Sequence, residues 1–172
     1  MPRLTLVLGG ARSGKSRYAE ALIEAAAPES VYLATAEARD DEMAERIRRH
    51  RARRGARWRT IEEPLDLAPR LLDLAQARQP ILVDCLTLWL ANLLEAGRNV
   101  DAEIAGLIEA LPRLAVPAVL VANEVGLGIV PENALARVFR DHAGRLNQAV
   151  AAGAQRIVFM AAGLPLVLKD GT

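Results

Sequence analysis

Residues 4–16 read Leu4-Thr5-Leu6-Val7-Leu8-Gly9-Gly10-Ala11-Arg12-Ser13-Gly14-Lys15-Ser16: an apolar run, two glycines, then a polar turn that opens into helix-forming sequence. The run Leu4 to Leu8 shows little alternation, as a strand buried on both faces requires. The glycines at 9, 10 and 14 let the backbone curl so that successive N–H groups face inward and form a nest for an anion. Lys15 adds a positive charge for the β and γ phosphates of a nucleoside triphosphate, and Ser16, at the start of a helix, is placed to ligate Mg²⁺. As part of an exposed loop, Lys15 is expected to have no packing role. The spacing Gly-x-x-x-x-Gly-Lys-Ser is the P-loop pattern. A glycine turn that merely happens to precede a helix is the competing explanation, and the full pattern in its strand–helix context stands against it.

Outward from this loop, short apolar runs alternate with helix-period segments. A helix is expected from Ser16 to Ala27, a strand at Val31–Ala34, and a helix over Asp40–Arg54 with acids in its first turn and arginines later, matching the helix dipole. Trp58–Ile61 suits a short edge strand, Pro64 opens a helix towards Gln76, and Ile81–Val83 is a third core strand. Thr87–Glu95 and Asp101–Leu111 read as helices with Gly97 between them. Val119–Ala122 and Ile157–Met160 complete the core strands, separated by a long helix over Glu132–Ala152 whose stripe is Leu135, Val138, Phe139, Leu146 and Val150. Strands with little alternation, each followed by a helix, imply a mostly parallel sheet covered on both faces. No linker, repeat or low-complexity tract divides the chain, so one α/β domain over residues 1–172 is expected: a three-layer P-loop nucleotide-binding fold.

Composition narrows the function classes. The 172 residues are 52% hydrophobic and 25% charged, as in a globular chain with a sizeable core. Twenty-two Lys and Arg against 21 Asp and Glu leave a net charge of +1, which gives no global attraction for a polyanion. Cys85 is the single cysteine, so no intrachain disulfide can form and a cytoplasmic setting is expected. The apolar run after Met1-Pro2-Arg3 is too short for a signal-peptide core, and the longest apolar stretch, Ile157–Leu168, is too short to span a bilayer.

Asp84 follows Ile81-Leu82-Val83 directly and is the candidate second carboxylate for Mg²⁺ at a strand end; the alternative is an Asp capping the next helix. Cys85 beside it reads as a small buried residue rather than a nucleophile. Residues 46–59, Arg-Ile-Arg-Arg-His-Arg-Ala-Arg-Arg-Gly-Ala-Arg-Trp-Arg, admit three readings: a solvated helix face, a clamp for a triphosphate, or a nucleic-acid patch with Trp58 as a stacking surface. The near-zero net charge places nucleic acid last. His142 falls on the apolar stripe of the long helix, without clustered cations, and reads as a packed histidine. His50 has Arg48, Arg49, Arg51 and Arg53 within three residues, although its spacing from Met43 and Ile47 also allows a place at the core edge. Arginine charge depresses an imidazole's pKa, leaving it neutral and able to attack a nucleotide phosphate while the cations stabilise the phosphoryl oxygens.

With these residues in view, the chain resembles the bifunctional adenosylcobinamide kinase/adenosylcobinamide-phosphate guanylyltransferase family. The likeness rests on Gly9 to Arg17, Ala34-Thr35, Asp40-Asp41-Glu42-Met43, Arg46-Ile47, His50-Arg51, Arg54 and Trp58-Arg59-Thr60. Its most distinctive block is Asn123-Glu124-Val125-Gly126-Leu127-Gly128-Ile129-Val130-Pro131-Glu132-Asn133, followed by Phe139-Arg140-Asp141 and Gly144 to Gln148. The resemblance implies a RecA-like relative of the P-loop proteins, an oligomer that is a trimer, and two reactions. ATP or GTP phosphorylates the aminopropanol hydroxyl of adenosylcobinamide; GMP from GTP then joins that phosphate, giving adenosylcobinamide-GDP and pyrophosphate.

The same resemblance implies a guanylylated histidine at His50. It also implies nucleotide contacts at Gly9, Gly10, Ala11, Arg12, Ser13, Gly14, Lys15 and Ser16, at the strand end Ala34, Thr35 and Ala36, at Arg51, Ala52, Arg53 and Arg54, and at Glu62 and Asp84. Some relatives carry Glu where Asp84 stands, which changes its reach to a metal. Glu62 as an acceptor for guanine N1–H and N2–H₂ competes with an ordinary surface glutamate. Asn123 to Gly126 is a wall for the corrinoid or the γ phosphate, or a loop capping the next helix. Two other functions stay open from sequence: a different small-molecule P-loop kinase with no covalent intermediate, and a nucleotide-dependent nucleic-acid module built on the arginines.

Overall fold

The computed structural model describes residues 1–37, 45, 48, 55 and 57–171. Seven strands form one sheet: β1 (Leu4–Gly9), β2 (Ser30–Ala34), β3 (Trp58–Glu62), β4 (Ile81–Asp84), β5 (Ala118–Asn123), β6 (Arg156–Ala161) and β7 (Leu164–Asp170). Their order is β3-β2-β4-β5-β1-β6-β7. Every neighbouring pair is parallel except β6 with β7. The edge strand expected at Trp58–Ile61 is found at the edge, as Trp58–Glu62. The described helices are α1 (Lys15–Glu24), α2 (Leu67–Ala75), α3 (Leu86–Glu95), α4 (Val100–Ala110) and α5 (Ala134–Gly153).

Side chains alternate along each strand, so the apolar runs serve two cores. Leu4, Leu6, Leu8, Leu33, Val83, Leu120 and Ile157 face α2 to α5, with Trp89, Leu107 and Leu146 buried among them. Val7, Tyr32, Leu82, Val119, Val121 and Val158 face the other way, against Ala19 and Ile23 of α1 and Trp58. This is the three-layer arrangement that parallel strands need, because it covers both faces. Asn99 and Asn133 cap α4 and α5: each side chain accepts a 3.1 Å hydrogen bond from the backbone N–H three residues on.

Three expectations change. The apolar stretch Ile157–Leu168 holds a second strand beyond the one expected at Ile157–Met160: Ala162 and Gly163 turn the chain at positive φ, and Leu164–Asp170 returns as an antiparallel edge strand. Pro165 is tolerated there because an edge strand need not donate on both sides. The stripe on the long helix also divides. Leu146 and Val150 are fully buried, but Leu135 is 66% and Val138 44% exposed. The Pro64 helix begins only at Leu67.

Candidate active site

The parallel strands bring their carboxyl ends to one edge. Pairing sets Glu62 beside Ala34, Ala34 beside Asp84, Asp84 beside Val121, and Gly9 between Asn123 and Met160. This is the edge at which open α/β sheets bind ligands.

The loop after β1 is held open for an anion by contacts that exclude other residues. Gly9 has φ +149°, and a Cβ there would lie 2.5 Å from the Met160 carbonyl oxygen and 2.8 Å from Ser13 Oγ. Gly14 has φ +97° and releases the chain into α1. The turn between β6 and β7 pins the loop from outside: the Gly163 N–H donates to Ser13 O at 3.0 Å. Lys15 Nζ folds back across the loop and donates to Gly10 O at 2.5 Å. Lys15 is only 7% exposed, so the expectation of an exposed lysine without a packing role is wrong: its stem is part of the loop's packing.

Asp84 does not cap α3. The N-cap position is Cys85, whose side chain makes no capping hydrogen bond, while Asp84 Oδ2 accepts from the Tyr32 hydroxyl at 2.5 Å. Cys85 is buried, and burial with the adjacent Asp84 carboxylate pushes its thiol up to about 11. A thiol so seldom ionised near neutral pH is a packing group, as expected, and no nucleophile.

Buried amides and hydroxyls that no motif announces tie the strand ends together. Thr35 Oγ1 donates to Cys85 O at 2.7 Å and accepts from the Cys85 N–H at 2.9 Å. Asn92 Nδ2 donates to Thr35 O at 2.8 Å and to Pro64 O at 3.0 Å. Thr87 Oγ1 accepts from the Asn123 N–H at 2.7 Å, and Asn147 Nδ2 donates to Asn123 O at 3.3 Å. The signal in sequence is the pair Thr87 and Asn92, polar residues among the leucines of the helix Leu86–Glu95.

Ala34, Thr35, Ala36, Glu62 and Asp84 thus lie at the same edge as Gly9 to Ser16, with Glu62 exposed at the end of the outer strand. His50, Arg51, Ala52, Arg53 and Arg54 lie outside the described residues. Of the helix expected over 40–54, Glu45 and Arg48 are described; both are helical and their side chains pair at 2.7 Å. His142 is not the cation-free residue that periodicity suggests. Arg145 Nη2 lies 2.8 Å from its Nδ1, and Asp101 of α4 3.7 Å away.

Residues 5–168 match the model of a family described as cobinamide kinase / cobinamide phosphate guanyltransferase. The chain is 52% identical to the bifunctional adenosylcobalamin biosynthesis protein CobP of Pseudomonas aeruginosa, over 95% of this chain and 96% of that one. The chain belongs to the cobinamide kinase / cobinamide phosphate guanyltransferase family. The bifunctional adenosylcobalamin biosynthesis protein CobU of Salmonella typhimurium is 45% identical, covering 96% of this chain and 99% of that protein. A type III secretion ATPase of pathogenic bacteria shares the fold at 12% identity, with TM-score 0.57 over 96% of this chain and 56% of that one. The mostly parallel sheet and the P-loop sequence at Gly9–Ser16 are thus carried on a fold that this ATPase shares.

Ser16 and Asp84 offer hard oxygen donors, one hydroxyl and one carboxylate. Among the described residues no group of three or more His, Cys, Asp or Glu could hold a metal alone. That donor set fits Mg²⁺, which takes few protein ligands and completes its shell with water and substrate phosphates.

Proposed function

We propose that this chain phosphorylates adenosylcobinamide with ATP or GTP and then transfers GMP from GTP to the product, through a guanylyl-histidine at His50. The observation that supports the reading most is the family match over residues 5–168 on a chain whose phosphate loop and Asp84 meet at one sheet edge. In the first step the substrate's aminopropanol oxygen bonds to the γ phosphorus, the bond to the nucleoside diphosphate breaks, and the hydroxyl proton is released. The loop N–H groups and Lys15 hold the γ and β phosphates and take up the charge that moves onto the leaving oxygen. Bound Mg²⁺ supplies further neutralisation of phosphate charge, with Ser16 and Asp84 as its protein ligands.

In the second step an imidazole nitrogen of His50 bonds to the α phosphorus of GTP and pyrophosphate leaves. A phosphate oxygen of adenosylcobinamide phosphate then displaces the imidazole, giving adenosylcobinamide-GDP. Splitting the transfer in two lets one nucleophile serve an acceptor that is itself an anion. Arg51, Arg53 and Arg54 stabilise the phosphoryl oxygens, Ala52 lies in the same nucleotide-contacting run, and Glu62 accepts from the guanine edge. One catalytic domain carries both steps in the cytoplasm, as a trimer. No described helix is long and apolar enough to cross a membrane.

The test is to incubate the protein with adenosylcobinamide, GTP and Mg²⁺ and identify the corrinoid products. Adenosylcobinamide phosphate followed by adenosylcobinamide-GDP is expected. Unchanged corrinoid contradicts the whole reading, and phosphate alone contradicts the transfer step.

A further inference from the structure

The chain after β5 leaves the phosphate loop and builds a second concavity. The Glu124 N–H donates to Gly9 O at 3.1 Å, so this segment starts one hydrogen bond from the nucleotide site. It then runs through Gly126 and Gly128 to α5. Asn147 of α5 donates to the carbonyl of Asn123, the last residue of β5, so the part of α5 before Asn147 rises past the sheet's carboxyl edge for about three turns. Between segment and helix lies an open bowl of about 700 Å³.

Its lining is mixed. Val130 and Val138 give apolar surface, while Arg140, His142, Arg145 and Gln148 bring hydrogen-bond donors. On the helix, Val138, Asp141, Arg145 and Gln148 recur at helical spacing on a different stripe from the buried Leu146 and Val150. The rim carries large apolar side chains left exposed among the described residues: Leu127 is 81%, Ile129 97% and Val130 60% exposed. So much uncovered apolar surface beside polar donors marks a place where a large ligand or a partner sits.

We infer that this bowl, framed by residues 126–130 and the projecting stripe of α5, binds the edge of the corrin ring; the assignment rests on the reaction proposed above. A corrinoid offers an apolar conjugated face and a rim of carboxamide groups. Val130, Val138 and the rim residues match the face, and the guanidinium and amide donors match the carboxamide carbonyls. The bowl is open on one side, so the ring is seated by one edge, with its aminopropanol arm free to reach the phosphate loop across Glu124.

The experiment measures cobinamide retained by the protein on ultrafiltration, with GTP binding and native mass measured on the same samples. Wild type is compared with Val138→Trp, which fills the bowl, and Arg140→Ala, which removes a donor. Both variants are expected to weaken cobinamide binding tenfold or more, while GTP affinity and native mass stay as in wild type. If wild type fails to retain cobinamide, the proposed reaction falls and this site with it. If wild type binds and both variants bind equally well, the reaction stands and the site is refuted. If the variants lose cobinamide only together with a change in native mass, the face belongs to a second copy of the chain and the assignment is again refuted.

Discussion

The Tyr32 hydroxyl donates a 2.5 Å hydrogen bond to Asp84 Oδ2, joining β2 to β4 at the edge where the phosphate loop opens. Tyr32 is 3% exposed, and its ring meets Trp58 edge-on at 5.9 Å. Trp58 is itself anchored, its Nε1–H donating to Glu24 Oε1 at 2.9 Å. The carboxylate is therefore aimed by a chain of packed groups that ends at the last residue of α1.

That chain makes a prediction about metal dependence. Partners that orient a metal-binding carboxylate are worth about 10–100-fold in metal affinity. Tyr32→Phe should raise the Mg²⁺ concentration needed for half-maximal kinase activity about tenfold or more, with little change in maximal rate. Asp84→Asn should lower the rate even at high Mg²⁺. Direct titration with Mn²⁺ in the presence of nucleotide checks the affinity; unchanged curves for both variants would remove Asp84 from the metal.

Lys15 calls for a substitution that respects its packing. Lys15→Met keeps most of the buried stem and removes the charge. Kinase activity should fall by about 10³-fold, the scale of losing one well-placed stabilising donor, while thermal stability stays close to wild type. A folded Lys15→Met variant phosphorylating at nearly the wild-type rate would take the chemistry away from this loop.

Cys85 gives a pH-dependent prediction. Its thiol ionises at about 11 in the fold against 9.0 in the reference state, so above pH 9 the unfolded chain loses this proton first. The fold then binds more protons than the unfolded chain, and stability falls as pH rises from about 9 to about 11. Cys85→Ala should show a shallower alkaline decline in denaturant midpoint than wild type. Equal slopes would mean that the thiol does not couple to folding. Native protein at pH 8 should also resist iodoacetamide until it is unfolded.

The parallel sheet and the phosphate loop were legible because each has a local signature. Leu4–Leu8 and Val119–Ala122 carry the near-continuous apolar pattern of strands covered on both faces, and Gly9 to Ser16 carry their chemistry at fixed spacing. β7 was hidden for the opposite reason: all of its residues are exposed, so its apolar side chains mark no covered face that periodicity can detect. The helix stripe misled similarly. Periodicity groups Leu135 and Val138 with Leu146 and Val150, but Phe139, Ala143, Leu146 and Val150 pack against the core while Leu135 and Val138 stay exposed. Tyr32 and Asn92 act through partners distant in sequence, Asp84, Thr35 and Pro64, which only the folded chain brings together.

The most direct test of the account follows label from α-labelled GTP onto the protein in the presence of Mg²⁺. A phosphoramidate is labile in acid and stable in base, so the bond has its own signature. Wild type should acquire label that mild acid removes. His50→Asn should take up none and lose guanylyl transfer, yet still phosphorylate adenosylcobinamide, while His142→Asn should label as wild type does. Label that persists in His50→Asn, or its absence from wild type, would contradict the guanylyl-histidine.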